Sequence, residues 1–312
     1  MADPLSSAPD VLVLGAGGTL GIAWLRGMVA GIEEAGGPDL RRAEYLIGTS
    51  AGSYVAAALA AGRRVDAAGA DPGTVADAGA IAEALPDDAP GRVRRAVGAG
   101  TRTVAAVTAP VVPWMLAATR PGGAVVRAAL LRAAPRSRDG LGDLRRHTDE
   151  FGARFDGRLR VVAVDRRRGS RVVFGAPGAP RATVGEAVLA SCSVPWLFPP
   201  VTIGGREYVD GGVWSLSNLD VAPAGRGSEV LALLPTAGRG TGRGAAALAR
   251  TAAQAAALAE RQALRARGAS VRVVVPDRAA IEAMGPNLMA PGPRAAVFAA
   301  GRAQGRRLVL HG

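Results

Sequence analysis

The chain has one cysteine, two histidines and no lysine among its 312 residues, and only 4% of it is aromatic. Each shortage excludes something. A lone thiol, Cys192, cannot close an intrachain disulfide, which fits a reducing, cytoplasmic setting. Lying in an apolar block, it reads as a small buried side chain rather than a nucleophile. No Cys/His cluster suggests zinc, and no aspartate-rich calcium loop occurs, so neither a metal nor another cofactor is expected. The apolar run from Val104 to Ala118 is broken by Pro110 and Pro113 and is too short to span a bilayer. Met1 to Asp10 lacks the charged and apolar regions of a signal peptide and is expected to be a flexible lead-in.

The scarcity of histidine bears directly on mechanism. His147 sits in the charged stretch Arg145-Arg146-His147-Thr148-Asp149-Glu150, which reads as solvated surface or helix, and His311 is the penultimate residue. An α/β-hydrolase order of Ser50, Asp210 and His311 can be forced, but too little chain precedes Ser50 to build that fold's early strands. A base on a fraying end would also be poorly held.

Charge is one-sided. The net charge is +12, and every basic residue is arginine. Such a charge can draw a protein to an anionic membrane surface, and transient peripheral contact of that kind is a candidate property. Nucleic acid is not expected, because stacking aromatics are not interleaved with the arginines. The Ala, Gly and Arg excess fits a high-GC bacterial coding bias, and Arg166-Arg167-Arg168 and Arg306-Arg307 read as solvated surface.

What is present begins with Gly48-Thr49-Ser50-Ala51-Gly52, which follows the apolar run Tyr45-Leu46-Ile47 and precedes a small-residue helical stretch from Ser53 to Ala61. A strand, a tight turn and a helix are the context that a G-x-S-x-G elbow needs. Gly48 and Gly52 let the backbone turn sharply and Ala51 keeps the approach open, so the Ser50 hydroxyl would face outward at a helix N-terminus that favours developing negative charge. The plainer reading is a serine helix cap after a glycine turn.

A second glycine-rich turn, Gly15-Ala16-Gly17-Gly18-Thr19-Leu20-Gly21, joins the strand Val11–Leu14 to a helical stretch from Ile22 to Ala35. Its bare amides could cradle a phosphate or an oxyanion, or could form a simple turn. Leu20 stands where a dinucleotide fingerprint wants its third glycine. Asp210, in Tyr208-Val209-Asp210-Gly211-Gly212, is either a turn former or a catalytic carboxylate.

Taken together and in order, the glycine loop, Gly-Thr-Ser-Ala-Gly and Asp-Gly-Gly resemble the patatin-like phospholipases. The resemblance extends through Ala190-Ser191-Cys192-Ser193-Val194-Pro195-Trp196-Leu197-Phe198-Pro199-Pro200 and covers about Val11 to Thr236. It implies a lipid acyl hydrolase with Ser50 as nucleophile, Asp210 as general base of a Ser–Asp dyad, and the amides of Gly17 and Gly18 as oxyanion hole. It implies a lipid or other acyl-ester substrate. The family's loop usually carries an acidic residue at its start and an Arg or Lys near its end, where this chain has Gly15 and Leu20. An acyl transferase or thioesterase would use the same acyl-serine. A nucleotide-binding oxidoreductase or an inactive membrane-associated scaffold would leave Ser50 and Asp210 unexplained.

The expected architecture is a three-layer α/β/α domain over 11–312, with a mainly parallel sheet and the site at the strands' carboxyl ends. Further strands are expected at Leu159 to Val164, Arg171 to Phe174, Gly205 to Val209, Glu229 to Leu234 and Val271 to Val275, and a long helix within Gly244 to Gly268. Residues 62–137 form a variable helical insert, read as a lid or as an ordinary core helix pair. Trp196 and Phe198 are candidates to line an acyl pocket. Met284 to Met289 is a turn that either packs the core or touches an acyl chain.

Overall fold

A computed structural model describes residues 5–65, 124–134, 141–238, 245–290 and 292–310. Eight strands form one sheet: β1 Val11–Leu14, β2 Tyr45–Thr49, β3 Leu159–Asp165, β4 Ser170–Phe174, β5 Val201–Ile203, β6 Arg206–Asp210, β7 Glu229–Leu233 and β8 Ser270–Val274. The strand order is β5-β6-β3-β2-β1-β7-β8, with β4 also paired to β3. The pairs β1–β2, β2–β3, β1–β7 and β7–β8 are parallel, and β3–β4, β3–β6 and β5–β6 are antiparallel.

The two faces of the sheet bury alternate residues, as the period of a strand requires. Leu12, Leu14, Leu46, Val161 and Leu233 share one core with the helices α1 (Gly18–Glu34), α2 (Ala51–Ala60) and α5 (Val184–Cys192). Val11, Val13, Ile47, Val162 and Ala232 share the other with α6 (Ala245–Ala266). The expected layering of helices on both faces is therefore present. The helix α5 starts at a capping box, Thr183 Oγ1 accepting the Glu186 N–H at 3.1 Å and a Glu186 carboxylate oxygen accepting the Thr183 N–H at 2.9 Å.

Two elements differ from the sequence reading. The first helix begins at Gly18, within the glycine loop, rather than at Ile22. Arg166, expected at the surface, is buried: its guanidinium donates to the carbonyls of Leu131, Arg132 and Ala134 and to Glu207. It thereby ties α3 (Ala124–Ala133) to the edge of β3, where Leu131 packs on Val164, Val209 and Val213. Most of the insert expected at 62–137 lies outside the described residues; the part within them, α3, packs on the sheet.

The remaining helices are α4 (Gly142–Glu150), α7 (Arg278–Met284) and α8 (Arg294–Leu310). The last packs against α1 backbone to backbone. A Cβ on Gly27 would lie 2.3 Å from the Phe298 carbonyl oxygen, and one on Gly31 would lie 2.0 Å from that of Arg302. Reciprocally, Cβ atoms on Gly301 and Gly305 would strike the carbonyls of Trp24 and Met28. Among the described residues no helix is long and apolar enough to cross a membrane.

Candidate active site

The β2 strand ends at Thr49 and α2 begins at Ala51, so Ser50 alone makes the turn, with φ +51° and ψ −123°. Positive φ in a non-glycine residue costs roughly 1–3 kcal/mol and persists only where the surroundings impose it. Here they do. A Cβ on Gly48 would lie 2.3 Å from Ser53 Cα, and one on Gly52 would lie 2.0 Å from the Leu14 carbonyl oxygen. The Ser50 N–H, lost to the sheet, donates to Ser191 Oγ at 2.8 Å, and Ser191 donates in turn to the Val162 carbonyl at 2.6 Å.

Asp210 ends β6, which runs toward β2 along the same edge of β3. The pairing register requires this: β4 occupies one edge of β3 over Val161–Asp165, while β2 pairs as far as Val162 and β6 pairs from Ala163 onward. Two strands of opposite direction therefore meet end to end, and Ser50 and Asp210 are the residues at the junction. Asp210 is buried, its amide donates to the Ser193 carbonyl at 2.9 Å, and one carboxylate oxygen accepts the Gly212 N–H at 2.6 Å. Burial raises its pKa from 3.8 to about 7, against the opposing pull of the Gly212 amide and of a hydrogen bond from the Ser50 side chain.

The glycine loop closes the third side. The Ala16 N–H donates to the Leu216 carbonyl at 2.8 Å, just beyond the Asp210 turn, and Ala16 Cβ would touch a Cβ placed on Gly212 at 3.7 Å. A Cβ on Gly21 would meet Ala51 at 3.5 Å, so the loop also abuts the elbow. Gly17 has no room for a side chain, since a Cβ there would come within 2.7 Å of Pro235 and of Gly21 Cα. Among the described residues the amides of Gly17 and Gly18 have no acceptor, and they stand at the positive end of α1. The three segments singled out in the sequence are thus contiguous around one point.

A family model, Patatin-like phospholipase, matches residues 12–224. The chain belongs to the patatin-like phospholipase family. Membership implies an esterase or phospholipase activity on lipid esters. No curated protein matches the chain. Among solved structures, VipD from Legionella pneumophila is similar at 16% identity and a TM-score of 0.41, covering 99% of this chain and 67% of that one.

In this patatin-like chain the departures of the glycine loop have a packing explanation. Leu20, where the resemblance leads one to expect a basic residue, is fully buried in the core, and its amide donates to the Leu288 carbonyl at 2.9 Å. Gly15 faces Leu234, which a Cβ there would approach to 3.0 Å. The Met284–Met289 turn has a packing role: Met284 and Leu288 are buried, and Met289 Sδ covers Gly18.

The remaining candidates fall apart into separate environments. Phe198 is buried, whereas Trp196 is exposed and has a φ of +70°. His147 lies on α4, a ring nitrogen 3.2 Å from the Asp143 carbonyl, and His311 is outside the described residues. The Cys192 sulfur lies 3.9 Å from the Ser53 hydroxyl, and burial, reinforced by the Asp210 charge, pushes its thiol pKa upward. Among the described residues no group of His, Cys, Asp and Glu could hold a metal.

Sequence reasoning missed Ser191, Ser193 and Asn218. The Asn218 side-chain amide donates to Thr49 Oγ1 and to the Gly211 carbonyl, both at 3.2 Å. Asn218 has a left-handed backbone, φ +45°, a conformation that asparagine tolerates better than most residues. That preference was the one available signal, in a stretch that otherwise reads as a polar loop.

Proposed function

We propose that the chain is a lipid acyl hydrolase of the phospholipase A or esterase type, working through an acyl-serine with a Ser50–Asp210 dyad. The observation that supports this reading is the end-to-end meeting of β2 and β6, which brings Ser50, with its strained backbone, and the buried Asp210 to one junction, beside two amides that have no acceptor among the described residues.

As Ser50 Oγ attacks the ester carbonyl carbon, its proton passes to the Asp210 carboxylate. The carbonyl oxygen becomes an oxyanion held by the amides of Gly17 and Gly18, each such donor contributing about 3 kcal/mol in comparable sites. Collapse breaks the C–O bond to the alcohol, which leaves with the proton from Asp210, and the acyl group stays on Ser50. A water molecule then gives a proton to Asp210 while its oxygen attacks the acyl carbon. The second collapse frees the fatty acid and returns the proton to Ser50 Oγ. A carboxylate whose pKa lies near 7 suits both directions of transfer at neutral pH better than one near 3.8.

The test is covalent labelling of the purified protein by a fluorophosphonate probe, read by intact-protein mass. One adduct on the wild type and none on Ser50→Ala is expected, with release of fatty acid from phospholipid vesicles lost in the same variant. Equal labelling of both proteins would remove Ser50 from the mechanism. Acyl transfer to an added alcohol in preference to water would instead identify a transferase.

A further inference from the structure

End-to-end strands create a defect. Where β2 and β6 both end, the ladder along β3 loses a rung, and among the described residues the two strands do not pair with each other. Two side chains stand at this gap. On the α1–α2–α5 face, Ser191 takes the Ser50 N–H at 2.8 Å and gives its own proton to the Val162 carbonyl at 2.6 Å, replacing the missing rung. Two residues on, the Ser193 carbonyl takes the Asp210 N–H. On the opposite face, where Thr49 points, the Asn218 amide bridges Thr49 Oγ1 and the Gly211 carbonyl. Asn218 is fully buried, and its own N–H is fixed by Ser215 Oγ at 3.2 Å.

Resting on the hydrolase reading above, we propose that Ser191 and Asn218 are positioning residues that splice β2 to β6 from opposite faces of the sheet and set the separation of Ser50 Oγ from the Asp210 carboxylate. Ser191 holds Ser50 by its amide at the end of α5, two residues before the Ser193 carbonyl that holds the Asp210 amide. Asn218 joins the residue before Ser50 to the residue after Asp210. Neither touches the substrate. Their effect is on alignment, where displacements of about 1 Å cost on the order of a hundredfold in rate.

The experiment compares Ser191→Ala, Asn218→Gly and Thr49→Val with the wild type on a soluble short-chain ester. Alanine keeps α5 helical, glycine keeps the left-handed turn unstrained, and valine removes one acceptor of the Asn218 amide, the one on β2, without leaving a cavity. The expected result is a fall in kcat of about tenfold or more for the first two and a smaller fall for Thr49→Val, with KM changed less than about twofold. The acid limb of the pH profile should also move to higher pH, because a carboxylate that loses its Ser50 hydrogen bond holds its proton longer. A purely structural contact would lower the melting temperature without moving that limb. Folded variants with wild-type kcat and an unmoved limb overturn the splice. If Ser191→Ala or Asn218→Gly fails to fold, the isosteric Thr49→Val decides by the same two readouts. Failure of the fluorophosphonate to label wild-type Ser50 is a separate result, which removes the hydrolase reading itself and the splice with it.

Discussion

Thr49 and Asp210 pair with consecutive residues of one strand, Val162 and Ala163 of β3. They belong to strands of opposite direction and are 161 positions apart in the chain (210 minus 49). A single strand thus indexes both ends of the proposed dyad. The consequences can be measured in several ways.

Activity should rise with pH through about 7, since Asp210 must be ionised to accept the Ser50 proton and burial holds its pKa there. The kcat/KM profile on a soluble ester should show one acid limb near that value. Asp210→Asn should lose at least about a hundredfold in kcat, the contribution expected of a positioned base. A limb near pH 4 would contradict the burial argument.

The same variant should be more stable than the wild type under alkaline conditions. Folding raises the Asp210 pKa from 3.8 to about 7, so over that interval the folded chain holds a proton that the unfolded chain has released. Stability therefore falls as pH rises from about 4 to 7, by roughly 4 kcal/mol at 1.36 kcal/mol per pKa unit. Asparagine has no charge to bury. Urea unfolding at pH 8 should favour Asp210→Asn, and at pH 4 the two proteins should converge.

Gly52→Ala should cost about 3 kcal/mol or more, because its Cβ would land 2.0 Å from the Leu14 carbonyl oxygen and 2.8 Å from that of Gly15. Gly62→Ala is the control. Gly62 has a φ of +72° but open space around it, so only backbone strain of about 1 kcal/mol is expected. Urea midpoints of the two variants separate packing from conformation.

Arg166→Lys should behave almost like Arg166→Ala. The guanidinium divides its donors among three carbonyls and a carboxylate, a fan that one ammonium cannot reproduce. Hydrogen exchange in α3 should accelerate in both variants, while α8 remains protected.

The order of elements was largely readable because the strands are buried apolar runs between glycine turns. Val11–Leu14 lies as expected, and Leu159, Glu229 and Phe174 mark strand ends that the sequence already suggested. The start of α1 was misread because glycine weakens helices in general. Here Gly18, with a φ of +60°, opens the helix and Gly21 lies within it, and neighbouring segments leave little or no space for a Cβ at either, which is why glycine stands there. Within the triple arginine, Arg167 and Arg168 are exposed as expected, and only Arg166 departs: charge predicts solvent, but a buried guanidinium with four acceptors satisfies the same physics. Of the site, the glycine motifs announced their turns by composition. Ser191 and Asn218 reach Ser50 and Thr49 across 141 and 169 positions, and contacts at such separations leave no periodicity to detect.

The glycine seam between α1 and α8 has a consequence for anyone diversifying this chain. Because backbone meets backbone at Gly27, Gly31, Gly301 and Gly305, no single substitution there can be relieved by a rotamer change on the other helix. Random libraries should therefore return almost no functional clones altered at these four codons, and a graft of the α1 region into another scaffold would need the α8 segment carried along with it.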